Sequence, residues 1–254
     1  MINTQYVRSI SLKREKIENF DRFPLSLAVV RTLDQLELHP KVTFLIGENG
    51  SGKSTFLEAI AISLGFNPEG GTRNFSFSTR SSHSTLHEYL RIAKGIHRPK
   101  DGFFLRAESF FNVATNIEAL DAEPSFGPPI INSYGRRSLH EQSHGESFLA
   151  LMNNRFGGKG LYLLDEPEAA LSPQRQLAVL SRMHDLVGDT SQFIIATHSP
   201  ILMAYPDSWI YEFGSGGIRK VQYEETEHFR VTRDFLVNPK RTLDILLERR
   251  IDGD

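Results

Sequence analysis

Short apolar runs punctuate the chain, and three of them end in residues capable of chemistry. Val42-Thr43-Phe44-Leu45-Ile46 runs into a glycine-rich stretch, Leu161-Tyr162-Leu163-Leu164 into Asp165-Glu166, and Gln192-Phe193-Ile194-Ile195-Ala196-Thr197 into His198. Runs of this length without alternation read as strands buried on both faces, as in a parallel sheet. Elsewhere the period changes to that of helices. Phe56, Leu57, Ile60, Ala61 and Leu64 share one face of a helix from Lys53 to Leu64, with Gly65 placed to close it. Phe148, Leu149 and Met152 mark another, opened by Ser143 with Glu146 three residues on, the capping-box pattern. Ser172-Pro173 is an N-cap with proline at the first helical position, and its helix runs to about Leu186.

The remaining segments fit the same scheme. Val7, Ile10 and Leu12 fall in a β-like segment, and Leu25 to Val30 reads as another after Pro24. Gly102 to Leu105 is a further strand, followed by a helix-like segment from Phe110 to Leu120. Glu123 to Gln142, rich in proline and glycine, reads as a long exposed loop. Trp209–Phe213 and Ile218–Tyr223 flank Gly214-Ser215-Gly216-Gly217 as a hairpin, and helical segments around Phe229–Leu236 and Thr242–Arg250 close the chain. The expected architecture is one α/β domain over 1–254: a mainly parallel sheet, an antiparallel β N-terminal part, and a small helical insertion within about 66–142.

Composition narrows the function classes. With no cysteine, disulfides, thiolate zinc sites and cysteine nucleophiles are excluded. A net charge of −2 argues against a globally basic nucleic-acid coat. Yet from Gly70 to Lys100 six Lys/Arg face one acidic residue, Glu88, which is either a solvated face or a contact to phosphate backbone. His83/His87 and His140/His144 have helical spacing for two metal ligands, but no third ligand completes either pair. No apolar stretch approaches the ~20 residues of a membrane span, and no signal peptide is visible, so a soluble cytoplasmic protein is expected.

The glycine-rich stretch carries the sharpest signal. Gly47-Glu48-Asn49-Gly50-Ser51-Gly52-Lys53-Ser54, continuing into Thr55, matches GxxxxGK[ST] between a strand and a helix. In that context successive backbone N–H groups converge on an anion at a helix N-terminus. Lys53 would reach the β/γ-phosphates of a nucleoside triphosphate, and the Ser54 hydroxyl would ligate Mg²⁺. Asp165 suits outer-shell coordination of that Mg²⁺, and Glu166 is placed to orient or deprotonate an attacking water. Phe20 and Phe23, just upstream, are read as core residues, or else as a ring for adenine stacking.

Five motifs in order resemble the ABC-type ATPases, in particular the soluble branch close to the RecF and SMC proteins. They are Gly47–Ser54, Ser143-His144-Gly145-Glu146-Ser147, Leu161–Pro167, Ala170-Leu171-Ser172-Pro173, and Ala196-Thr197-His198-Ser199-Pro200, across roughly residues 40–205. The resemblance implies an ATPase that binds Gly47, Asn49, Gly50, Ser51, Gly52, Lys53, Ser54 and Thr55 to ATP with Mg²⁺. It implies a homodimer sandwiching two ATP molecules, with Ser143 and Gly145 of one copy facing the γ-phosphate held by the other. It further implies that His198 contacts the γ-phosphate beside Glu166. Two departures stand out. The family usually has a glutamine after the strand that follows the phosphate loop; the nearest candidate is Glu108, a possible magnesium ligand in its place. His144 and Glu146 stand where transporter subunits show Gly and Gln. About 90 residues separate Ser54 from Ser143, too few for coiled-coil arms. The expected role is an ATP-driven switch in DNA maintenance or defence, with nucleic acid or a protein as partner. The alternative is the nucleotide-binding subunit of a membrane transporter; a small-molecule kinase would leave Ser143–Glu146 and His198 without a task.

Overall fold

The computed structural model describes residues 5–73, 84–107, 110–122, 129–135, 139–141 and 143–247. Its strands are β1 (Val7–Leu12), β2 (Gln35–Glu37), β3 (Val42–Gly47), β4 (Leu90–Lys94), β5 (Asp101–Arg106), β6 (Gly160–Asp165), β7 (Gln192–Ala196), β8 (Ser208–Gly214) and β9 (Gly217–Val221). Its helices are α1 (Ala28–Arg31), α2 (Lys53–Ser63), α3 (Leu86–Tyr89), α4 (Phe110–Ala122), α5 (His144–Asn154), α6 (Pro173–Gly188), α7 (Pro200–Met203), α8 (Glu227–Val237) and α9 (Pro239–Leu246). A six-stranded sheet has the order β5-β6-β7-β3-β8-β9, parallel except for β9 at its edge. β2, β1 and β4 form a separate antiparallel sheet. This is the mainly parallel α/β architecture with an antiparallel N-terminal part that the apolar pattern predicts.

The unbroken apolar runs are strands because both faces of the large sheet are covered. Val42, Phe44 and Ile46 of β3 look into one core with Tyr162, Leu164 and Phe193, sealed by α5 and α6 through Phe148, Leu151 and Met183. Leu45 looks the other way, with Phe104, Leu163 and Ile194, onto Phe56, Leu57 and Ile60 of α2. Each such fully buried side chain contributes roughly 1.5–3 kcal/mol of transfer free energy. α2 ends where Gly65 predicts: Gly65 N–H donates to Ile62 O and Phe66 N–H to Ala61 O, at 2.9 and 3.0 Å, a Schellman closure. The small sheet is fastened to the large one by Gln192, which is fully buried at the start of β7. Its Nε2 donates to Val7 O and His39 O, and its Oε1 accepts from the Tyr6 and Val7 N–H groups, all within 2.8–3.0 Å. A buried amide satisfied on both ends in this way fixes the register between two layers.

Three readings of local pattern are corrected. Leu25–Val30 is not a strand. It leads into the single helical turn α1, where Val30 N–H donates to Leu27 O and Val29 and Val30 enter the second core. A short apolar run cannot by itself separate a buried helical turn from a buried strand. Phe23 is 66% exposed and is not a core residue, whereas Phe20 packs partly against the second core. The predicted exposed loop from Glu123 to Gln142 is in its described parts two 3-10 turns, Ile130–Tyr134 and Leu139–Glu141, and Tyr134 is buried in the first core. Proline and glycine marked turns there; apart from buried Tyr134 and half-buried Ile131, the described residues whose burial is given are exposed, as the pattern predicts. Within 66–142 the described residues supply α3 and α4 and also strands β4 and β5, so this stretch builds sheet as well as helix.

Candidate active site

Parallel β6, β7 and β3 lie side by side, so their carboxyl ends open on one edge of the sheet, where ligands of open α/β sheets bind. Backbone bonds tie the three exits together. Thr197 N–H donates to Leu45 O at 3.1 Å, and Glu166 N–H to Ala196 O at 2.9 Å. The phosphate-loop motif, the acidic pair and His198 therefore converge, although 151 positions separate Gly47 from His198 in the chain.

Between β3 and α2 the chain reverses with Gly47, Gly50 and Gly52 at φ of +138°, +79° and +97°, conformations that favour glycine and turn N–H groups inward. Lys53, only 4% exposed, folds its ammonium back onto the loop and donates to Gly47 O and Glu48 O, both at 2.9 Å. Burial pushes its pKa down, opposed by Glu166, Asp165 and Glu168. Ser51 Oγ is buried without a hydrogen-bond partner. An orphaned hydroxyl, an ammonium held by loop carbonyls and the start of the eleven-residue α2, with Thr55 in its first turn, together fit a phosphate chain. Ser54 Oγ donates to Asp165 Oδ1 at 2.9 Å, and Asp165 is 3% exposed. This hydroxyl–carboxylate pair is a hard-oxygen set of the kind Mg²⁺ takes. Arg106, at the end of β5, pairs with Glu58 of α2 and lies 3.8 Å from the other Asp165 oxygen.

Glu166 follows in a left-handed conformation, φ +50°. One oxygen lies 3.7 Å from His198 Nε2, itself buried and without a hydrogen bond. Glu168 holds the segment after β7: it accepts from His198 N–H at 2.5 Å and Thr197 Oγ1 at 2.8 Å, and burial pushes its pKa up. On its other side His198 Nδ1 is 3.2 Å from His228 Nε2, on the first turn of α8. Burial lowers the pKa of both histidines, and Lys53 lowers each further. The two rings are then neutral at pH 7, so one can donate to the other.

Beside the loop lies a cavity of about 450 Å³, bounded by Gly47–Ser51, by Leu27 and Ala28, and by Phe213, Gly214 and His228. A second, of about 370 Å³, lies between Asn49, His198, His228 and Val231. Ser143 and Gly145 do not join this group within the chain. Ser143 caps α5, its hydroxyl donating to Glu146 Oε2 at 2.9 Å and accepting from Arg175 Nη1 at 3.2 Å. Gly145 packs so closely that a Cβ there would meet Ala170 O at 2.7 Å and Arg175 Nη1 at 2.4 Å. Glu108 lies outside the described residues, as do His83 and the side chain of His144. His140 contacts Thr115 Oγ1 at 3.1 Å, and no group of three metal-ligating side chains occurs among the described residues. Likewise no described helix is long and apolar enough to cross a membrane.

A family model described as "AAA domain" matches residues 16–117, and one described as "AAA domain, putative AbiEii toxin, Type IV TA system" matches residues 138–204. Among solved structures, cbiO1 from Clostridium perfringens, part of the ABC transporter complex cbiONQ, superposes with a TM-score of 0.53 at 17% identity, over 96% of this chain and 99% of that one. The chain carries the fold of the ABC-type P-loop ATPases. MJ1267, an ATP-binding cassette of an ABC transporter, shares this ATPase fold at a TM-score of 0.52 and 16% identity, over 94% of this chain and 98% of that one. The SMC head domain from Thermotoga maritima overlays more loosely, at 0.42 and 17% identity over 86% and 100%. No curated protein matches. On this ATPase fold the sequence singled out the three strand ends but not Arg106, Glu168, Arg175 or His228. Glu168 was within reach of inspection, two residues beyond Glu166 on a turn led by Pro167. His228 was not, because nothing local places residue 228 against residue 198.

Proposed function

We propose that the chain is an ATP-hydrolysing switch that closes as a dimer around two molecules of Mg·ATP. The observation that carries this is the convergence of Lys53, Ser54, Asp165, Glu166 and His198 at adjacent strand ends, with Ser54 bonded to Asp165 and Glu166 beside His198. The backbone of Gly50 to Thr55 would cradle the phosphates, with Lys53 leaving the loop carbonyls for the β/γ-phosphates. Ser54 and Asp165 would hold Mg²⁺, which neutralises charge developing on the phosphate oxygens. Glu166, 41% exposed and 3.7 Å from His198 Nε2, would orient and deprotonate the water. His198, neutral and tethered by Glu168, would donate to the γ-phosphate. A match to a model whose description names an AbiEii toxin of a Type IV TA system favours defence over general DNA maintenance.

Ser143 is exposed at the start of α5 and, among the described residues, makes no hydrogen bond to the chain's own phosphate loop, which supports a role toward a second copy. Ser143→Arg should leave Mg·ATP binding intact while abolishing ATP-dependent dimers, read by sedimentation with and without nucleotide. Loss of ATP binding as well would place Ser143 in folding instead. His228→Ala should lower turnover about tenfold through loss of one neutral hydrogen bond, ~1.4 kcal/mol, with ATP affinity unchanged. An unaltered turnover would remove His228 from the site. Phosphate release from Mg·ATP by the purified chain, absent in Glu166→Gln, tests the reading as a whole.

A further inference from the structure

At the opposite end of the large sheet, where β6 begins, the molecule has a third cavity, of about 560 Å³. Beneath it lie Val7, Leu64 and Leu161, all buried in the second core. Around it stand the cations Arg73, Lys94 and Arg98, with no acidic residue among the described lining side chains. The chain as a whole is slightly acidic, so this concentration of positive charge is local. The Arg73 guanidinium lies 5.0 Å over the Phe66 ring and pairs with no carboxylate among the described residues. The rim loop joins β4 to β5 and is pinned at both ends. Gly95 N–H donates to Tyr6 O and Lys100 N–H to Lys159 O, each at 2.9 Å. A Cβ on Gly95 would come within 1.7 Å of Gln5 O, so only glycine lets the loop close on the segment that leads into β1. Between the pins Ile96 projects, 91% exposed, directly beside His97 and Arg98.

We propose that this cleft binds single-stranded nucleic acid, with Arg73, Lys94 and Arg98 on the phosphate backbone and the exposed Ile96 against a base. A rigidly held apolar side chain among cations matches a chain of alternating bases and phosphates. The site lies apart from the nucleotide site and does not depend on ATP hydrolysis.

The test is fluorescence anisotropy of a labelled oligothymidylate and its RNA counterpart with the full chain, from 50 to 200 mM salt. The exposed pair Lys94→Glu/Arg98→Glu should weaken binding at least tenfold, and the loss of two phosphate contacts should reduce the slope of log K against log salt by roughly 1.4. Ile96→Ser should weaken binding with the salt slope unchanged, a result that mere loss of charge or of fold cannot give. Thermal unfolding of each variant should match the parent; were the charge reversal to unfold the chain, Lys94→Gln/Arg98→Gln replaces it with the same expected slope change. The proposal is overturned if the parent binds neither oligonucleotide at 50 mM salt, if the charge variants bind as the parent does, or if Ile96→Ser leaves affinity unchanged. It is also overturned if polyglutamate of equal charge displaces the oligonucleotide equally well, since the cleft would then be a site for an acidic protein.

Discussion

Glu166→Gln protein should bind Mg·ATP as the parent does, release phosphate at least ~10²-fold more slowly, and accumulate as an ATP-held dimer. The factor is the lower bound for removing a positioned general base. The substitution is nearly isosteric, and the backbone that aims the side chain is fixed independently of it. Glu166 stands at φ +50°, its N–H tied to Ala196 O at 2.9 Å. The amide can still lie 3.7 Å from His198 Nε2 and can still touch the water, but it cannot take a proton. Phosphate release and sedimentation separate the two halves of the prediction. Hydrolysis at the parental rate removes Glu166 as the base while leaving dimerisation open. Slow hydrolysis by a protein that stays monomeric at saturating Mg·ATP removes the dimer and leaves the base.

What is legible in the sequence alone follows the physics of each signal. β3, β6 and β7 were legible because burial on both faces forces unbroken apolar runs, and their ends were legible because a parallel sheet must open at one edge. α5 and α6 were legible from their caps: Ser143 with Glu146, and Ser172 before Pro173. Leu25–Val30 reads as a strand but folds into α1, because one apolar run that short shows no period. The isolation of Ser143 and Gly145 from the phosphate loop could not be read locally either, since it depends on Arg175 and Ala170 meeting α5 from another element. His228 is the clearest case. Its helix starts with an ordinary Thr226 cap and buries no residue of its own, so the sequence presents α8 as a surface helix. Only packing of α8 against the strand ends brings His228 Nε2 to 3.2 Å from His198. Motifs record what a loop does to its own ligand; contacts made by a distant helix leave no local trace.

Lys53→Ala should abolish measurable nucleotide binding, with the effect visible in stability as well as affinity. The ammonium is buried, surrounded by the charges of Glu166, Asp165 and Glu168, and held by two loop carbonyls. Without it those three carboxylates face an incoming triphosphate with the loop's own ammonium gone. One charge-assisted hydrogen bond is worth ~1.5–3 kcal/mol, so its loss alone lowers affinity by about 10- to 150-fold, and the uncompensated carboxylates add repulsion to that. The check is thermal unfolding with and without Mg·ATP. For the parent, ATP at about 100 times its Kd should stabilise the fold by roughly 2.7 kcal/mol through mass action. For Lys53→Ala the same concentration should shift nothing, while the unliganded variant still unfolds cooperatively. A variant that keeps the ATP-dependent shift would show that the cavity beside Gly47–Ser51 takes its ligand without Lys53, and the loop would lose its assignment as a phosphate site.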